Sequence, residues 1–281
     1  MSILLDGISV ANDLKKNISL IYDSKSIDKH PPCVVIIRFG NNDDDISYQN
    51  SAIRRCESFG VKCNVVVFDS KVSFSRFKEL FTQYNDDKYV DGIIIMGKYP
   101  SNEIKLYVQK YIKQRKDIDG IGYDNIAMLY SNYSETILPC TAESVIRLLK
   151  FYQIDVCKKK ICVLGRSLVI GKPLTIALLN LDATVSVCHS KTLDVKSITK
   201  SSDIIVCSVG IARYLTTDMV SSSSIIIDVG INFDLQGNIC GDADFENLNG
   251  YVQAITPVPK GVGSITNMVL VSHILSSYAK R

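Results

Sequence analysis

Seven short runs of β-branched and aliphatic residues, separated by amphipathic stretches, constrain this chain more than any other feature. They are Cys33-Val34-Val35-Ile36-Ile37, Asn64-Val65-Val66-Val67-Phe68, Gly92-Ile93-Ile94-Ile95-Met96, Ile161-Cys162-Val163-Leu164, Thr184-Val185-Ser186-Val187, Ile204-Ile205-Val206-Cys207 and Ile225-Ile226-Ile227. This alternation predicts parallel strands joined by crossover helices, and the near-continuous apolarity predicts that both sheet faces are covered. Helices are expected around residues 8–22, 46–59, 73–84 and 101–114, then from about Thr141, and again after Gly263. The run Ser221 to Ser224 reads as a turn before a strand. With 281 residues, the chain suits two α/β lobes. The expected division is 1–140 plus 264–281 for the first lobe and 141–263 for a Rossmann-like second lobe. A cleft lies between them, and the final helix returns to the first lobe.

The net charge is only +3, and Lys and Arg form no basic block, so nucleic acid is a poor main partner. No stretch reaches the roughly 18 apolar residues of a membrane span, and Asp6 interrupts the N-terminal apolar run, so neither membrane insertion nor export is expected. The nine cysteines are scattered, odd in number and free of C-x-x-C pairs. They read as reduced, small hydrophobic residues of a cytoplasmic protein. His30, His189 and His273 are not at metal-ligand spacing, and no metal is expected.

The strongest local signal is Gly165-Arg166-Ser167-Leu168-Val169-Ile170-Gly171-Lys172-Pro173, directly after a strand and before a helical pattern. Such a turn lets backbone amides approach a pyrophosphate at a helix N-terminus, although a plain tight strand-to-helix turn would use similar residues. The next strand ends in Cys188-His189-Ser190-Lys191-Thr192 without a carboxylate. Hydroxyl and ammonium donors there, with Arg166, suit the 2′-phosphate of NADP over NAD; a solvated polar loop is the alternative. Downstream, D-V-G-I-N (228–232) and G-D-A-D-F (241–245) place small and polar residues at the carboxyl end of a buried strand, where open α/β sheets bind ligands. The loop Thr256-Pro257-Val258-Pro259-Lys260-Gly261-Val262-Gly263 either presents backbone to a flat ring or merely connects. In the first lobe, Tyr48 and Ala52 share one helix face. Asp119 is a turn former or a ligand for a heterocycle edge.

Taken in order, G-N-N-D-D-D-I-S-Y, Y-V-D-G-I-I-I, K-D-I-D-G, P-C-T, G-R-S-x-V-I-G-K-P, V-S-V-C-H-S-K-T, D-V-G-I-N, G-D-A-D-F and T-P-V-P-K-G-V-G resemble the FolD-type methylenetetrahydrofolate dehydrogenase/cyclohydrolase family over essentially the whole chain. The resemblance implies a tetrahydrofolate substrate in the interlobe cleft, NADP on the second lobe, and a homodimer formed through that lobe. It also implies that Tyr48 stacks on the folate, Asp119 holds the pterin, and Arg166 and Ser190 meet the 2′-phosphate. The full expected cofactor set is Gly165, Arg166, Ser167, Ile170, Gly171, Pro173, His189, Ser190, Lys191, Gly230, Ile231 and Thr266.

The departures are as informative. Ala52 stands where the resemblance implies lysine, Met96 where it implies glutamine, Lys260 in place of a glycine, and Ser264 in place of a proline. Hydride transfer needs mainly that two rings be held together, whereas hydrolysis of the methenyl product needs a positioned acid or base. The expectation is a methylenetetrahydrofolate dehydrogenase whose cyclohydrolase step is lost or strongly reduced, unless Lys260 or Lys98 substitutes. The alternatives are a non-catalytic folate/NADP-binding homologue and an NADP dehydrogenase of a small acid or amino acid.

Overall fold

The protein, as a computed structural model, is described for residues 1–23, 30–234 and 236–281. It opens with β1 (Ile3–Leu4) and α1 (Gly7–Asp23) and continues through β2 (Cys33–Phe39), α2 (Asp43–Glu57), β3 (Lys62–Phe68), α3 (Phe74–Asp86), β4 (Gly92–Met96) and α4 (Asn102–Tyr111). Then come α5 (Tyr123–Tyr130), α6 (Cys140–Phe151), β5 (Lys160–Leu164), α7 (Gly171–Leu179), β6 (Thr184–Cys188), α8 (Val195–Lys200), β7 (Ile204–Cys207) and β8 (Ile225–Asp228). The end is β9 (Asn232–Phe233), β10 (Ile239–Cys240), α9 (Phe245–Leu248), β11 (Ala254–Ile255) and α10 (Gly263–Ala279). All seven apolar runs are strands, and the chain is a mixed α/β protein with parallel sheets in two compact units.

One unit comprises Lys15–Cys140 and Asn267–Arg281 and holds a parallel sheet in the order β3-β2-β4. Its helices start where side chains satisfy the orphan amides: Asn42 Oδ1 accepts from Asp44 N and Asp45 N, Ser73 Oγ from Arg76 N, and Ser101 Oγ from Ile104 N. The sequence places cap-type aspartates there; the cap itself is Asn42, and Asp43, Asp44 and Asp45 fill the first turn, where the helix dipole favours negative charge. Phe77 and Phe81, four apart on α3, pack with Phe39 and Phe68 into a buried aromatic core. All seven residues of β2 are buried. Edge strand β3 is different: Val65 is 41% and Val67 49% exposed, so that strand is not covered on both faces.

The other unit comprises Met1–Leu14 and Thr141–Thr266. Its six-stranded sheet runs β1-β11-β8-β7-β5-β6, parallel throughout. The first fourteen residues therefore group with this unit, in contrast to the expected boundary. The reason is β1, which pairs Ile3 with Ala254 and Leu4 with Ile255. A two-residue strand carries too little periodicity to be read from sequence. At the other end the unit runs to Thr266, three residues past the expected 263. Ser224 N reaches Ser221 O at 3.0 Å, closing the turn expected before β8. Among the described residues no helix is long and apolar enough to cross a membrane.

Candidate functional site

In the three-stranded unit, α2 carries Tyr48 and Ala52 one turn apart. Tyr48 is 37% exposed, yet its phenol is held well above the usual tyrosine range, first by burial of the hydroxyl end and then by Cys140, Asp119 and Cys56 nearby. Asp119 is therefore close enough to Tyr48 to act on its phenol. Asp119 Oδ1 accepts from Cys140 N at 2.9 Å, and burial raises its carboxyl while Cys140 and His273 pull the other way. His273, on α10, donates Nδ1–H to Ile118 O at 2.8 Å and lies 3.8 Å from Cys140 Sγ. Ala52 is fully buried, on the same α2 face as Gln49 and Cys56. Met96 ends β4, buried, and is the register partner of Arg38 on β2. In-register residues of parallel strands share a sheet face. Arg38 is buried too: Nε donates to Gln49 Oε1 at 2.9 Å, and Nη1 donates to Gly40 O and Asn41 Oδ1. Lys98 is exposed, after Gly97.

The six-stranded unit collects the whole expected cofactor set. After β5, Gly165 takes φ +118°, and a Cβ there would lie 2.4 Å from Ser208 O; a Cβ on Gly171 would lie 2.3 Å from Gly165 O. Strand and helix thus approach at a distance only glycine allows. Ser167 Oγ accepts from Ile170 N at 3.1 Å and Gly171 N at 3.4 Å, and Pro173 sits in the first turn of α7, where no intrahelical N–H is needed. After β6, His189 Nδ1 accepts from Lys191 N at 3.1 Å, and Thr192 Oγ1 from His189 N at 2.9 Å. That turn leaves Ser190 and Lys191 exposed, together with Arg166. The first carboxylate beyond it, Asp194, is engaged in capping α8 through Ser197 N. The glycine approach and the carboxylate-free, donor-bearing end of β6 fit a dinucleotide with a 2′-phosphate. Gly165→Ala is expected to destabilise by about 2–4 kcal/mol, from a strained left-handed backbone plus the clash with Ser208 O. Urea unfolding tests this, and an unchanged midpoint would contradict the glycine argument.

At the carboxyl edge of β8, Asp228 is buried. It accepts from Gly230 N (2.9 Å), Asp242 N (3.1 Å) and Ala243 N (2.8 Å), while its own N–H donates to Thr256 Oγ1 at 2.7 Å. Beside it is a pocket of about 280 Å³, bordered by Gly230, Ile231, Lys260 and Ser264. Lys260 belongs to this unit, exposed, with φ +78° and its carbonyl accepting from Gly7 N. Thr266 is buried, its hydroxyl donating to Gly263 O at 3.1 Å.

Burial raises Asp228 to about 6 against 3.8, despite its three N–H donors. The folded carboxyl keeps its proton to higher pH than the unfolded one. Raising pH from about 4 to 6 therefore costs stability at this group, by about 3 kcal/mol at the limit. Asp228→Asn should remove that slope while lowering stability overall, because an amide oxygen cannot serve all three donors. Urea midpoints of both proteins at acid and neutral pH check this, and parallel pH dependences would contradict it.

The acid–amide arrangement behind the edge, His273, and the Arg38–Gln49 pair were not singled out from sequence. Each depends on residues far apart along the chain. A charged residue inside an otherwise apolar strand, as Arg38 is next to the end of β2, was the one available sign.

The catalytic-domain family described as tetrahydrofolate dehydrogenase/cyclohydrolase matches residues 5–119, and its NAD(P)-binding domain matches residues 139–281. A bifunctional protein FolD from Clostridium botulinum (strain Okra / Type B1) is 39% identical over 277 residues, covering 99% of this chain and 98% of that protein. The bifunctional FolD methylenetetrahydrofolate dehydrogenase/cyclohydrolase of Campylobacter jejuni superposes with a TM-score of 0.93 at 33% identity over 100% of both chains. The FolD of Trypanosoma brucei, solved with NADP cofactor and inhibitor, gives 0.89 at 26% identity over 99% of this chain and 98% of that one.

Proposed function

Since this chain belongs to the tetrahydrofolate dehydrogenase/cyclohydrolase family, we propose that it oxidises methylenetetrahydrofolate to methenyltetrahydrofolate with NADP and has lost, or strongly reduced, the hydrolytic second step. The observation that carries the second half is Ala52, a fully buried methyl one helical turn from Tyr48. Nothing at that position can move a proton.

A bound nicotinamide would supply the hydride acceptor for the methylene bridge, and the positive charge left on the substrate would be shared by its own nitrogens. The protein's task is to hold and orient. Tyr48, 37% exposed, offers its ring to the pterin, and burial raises its phenol so that the hydroxyl stays protonated. Asp119 accepts from the pterin N–H edge, and its backbone-bound oxygen fixes the carboxyl plane through Cys140 N. Arg166, Ser190 and Lys191 bind the 2′-phosphate, and the Gly165–Gly171 turn seats the pyrophosphate. Hydrolysis would further require a group that gives and takes a proton beside the methenyl carbon. Both Ala52 and Met96 lack one.

The NADP preference is tested at Arg166. Arg166→Ala should lower kcat/KM with NADP by about 10–100-fold, the worth of a charge-assisted phosphate contact, and leave NAD turnover nearly unchanged. Equal losses with both cofactors would remove Arg166 from the 2′-phosphate site. The activity as a whole is tested by a spectrophotometric assay of the purified protein with methylenetetrahydrofolate and each nicotinamide cofactor. No NADPH formation would overturn the proposal in favour of a binding protein.

A further inference from the structure

Behind the exposed cofactor edge of the six-stranded unit, the fully buried Asp242 carries no role in the chemistry above, yet it accepts four hydrogen bonds. Oδ2 takes the N–H groups of Val209 (2.6 Å) and Gly210 (3.1 Å), and Oδ1 takes Ile211 N (3.0 Å) and Asn232 Nδ2 (2.9 Å). Four donors fill the lone-pair capacity of a carboxylate. Three consecutive amides converging on one anion make a nest of the kind that elsewhere cradles a ligand's charge. Here the protein fills it with its own side chain, which ties the loop after β7 to the turn after β8. Contact is close on the second side as well, since a Cβ on Gly230 would lie 2.3 Å from the Asp242 carboxyl. Asp242 is fixed in turn by its own N–H, which donates to Asp228 Oδ1.

Each of the two loops so joined carries a large apolar side chain left in solvent: Ile211, 54% exposed, and Ile231, 66% exposed. Both lie past the carboxyl ends of parallel strands, the edge at which α/β sheets bind ligands. Exposed isoleucines on loops held this rigidly from beneath have the character of an apolar rim for a flat ring.

We propose that Asp242 is a positioning residue for the cofactor: by clamping residues 209–211 and Asn232 it holds Ile211 and Ile231 as a preformed apolar rim against the nicotinamide ring. This rests on the reading of the unit as an NADP site. Asp242→Asn leaves one acceptor oxygen for four donors and turns an NH2 group toward some of them, so the loops separate. Asn232→Ala removes one donor and keeps the carboxylate. Both variants should remain able to bind folate.

The experiment is NADPH binding by fluorescence titration for wild type and both variants, with the KM for NADP and for methylenetetrahydrofolate alongside. The expected result is a dissociation constant for NADPH raised about 10–100-fold in Asp242→Asn and several-fold in Asn232→Ala, with the folate KM unchanged. Wild type failing to bind NADPH would overturn the NADP reading and the inference with it. Wild type binding normally, with a folded Asp242→Asn of equal affinity, would overturn the inference alone. So would a parallel rise in both KM values, which marks general loosening. Should Asp242→Asn not fold, Asn232→Ala decides: unchanged NADPH affinity there overturns the inference.

Discussion

Lysine introduced at Ala52 is expected to raise methenyltetrahydrofolate hydrolysis by about 10²–10⁴-fold over the native protein, the range a positioned acid/base contributes. Position 52 lies on the buried face of α2, one turn after Tyr48, so a side chain there extends from the same helix that carries Tyr48. The substitution has a cost, because Ala52 is fully buried and added methylenes in a packed site destabilise by about 1–3 kcal/mol. Ala52→Met is the matched control: it carries similar volume without an ammonium and should lose comparable stability with no gain in hydrolysis. Equal hydrolysis in the lysine and methionine variants, both folded, would show that the missing base is not what limits the native protein.

Asp119→Ala should lower kcat/KM for methylenetetrahydrofolate by about 10²–10⁴-fold, corresponding to two charge-assisted hydrogen bonds to the pterin edge, while NADPH binding stays unchanged. Its carboxyl is raised by burial, with Cys140 and His273 opposing. It therefore takes up a proton at higher pH than a free carboxyl does, and the protonated form no longer offers two anionic oxygens. The folate KM should accordingly rise as the solution is acidified, before it would for an ordinary aspartate. The alanine variant should lose that rise. Steady-state kinetics across pH for both proteins checks this, and an unchanged kcat/KM in Asp119→Ala would exclude the residue from the folate site.

What could be read in advance divides along physical lines. The strands were legible because a buried parallel strand such as β2 or β7 must be apolar along its whole length. The glycine turn was legible because Gly165 and Gly171 have no alternative residue at that approach. Two-residue pairings were not: β1 adds to the six-stranded sheet through Ile3 and Leu4, too short a run to announce itself. The edge character of β3 was equally hidden, since Val65 and Val67 are as apolar as their buried neighbours and exposure is decided by what packs alongside. In the site, Tyr48, Ala52 and Asp119 came from motif and resemblance. Their surroundings came from long-range contacts, such as His273 to Ile118 and Asn267 to Ser51 at 2.9 Å, that no local pattern encodes. Asp242 lay in plain view within G-D-A-D-F, but its task became visible only once three backbone amides were seen to end on it.

The most direct measurement is a single reaction of the native protein with methylenetetrahydrofolate and NADP, in which NADPH and the methenyl product are followed together. Equal amounts of both should accumulate, after which the methenyl signal should decay no faster than it does in buffer alone. Methenyl decay that keeps pace with NADPH formation as enzyme concentration rises, or a failure to form NADPH, would contradict the account.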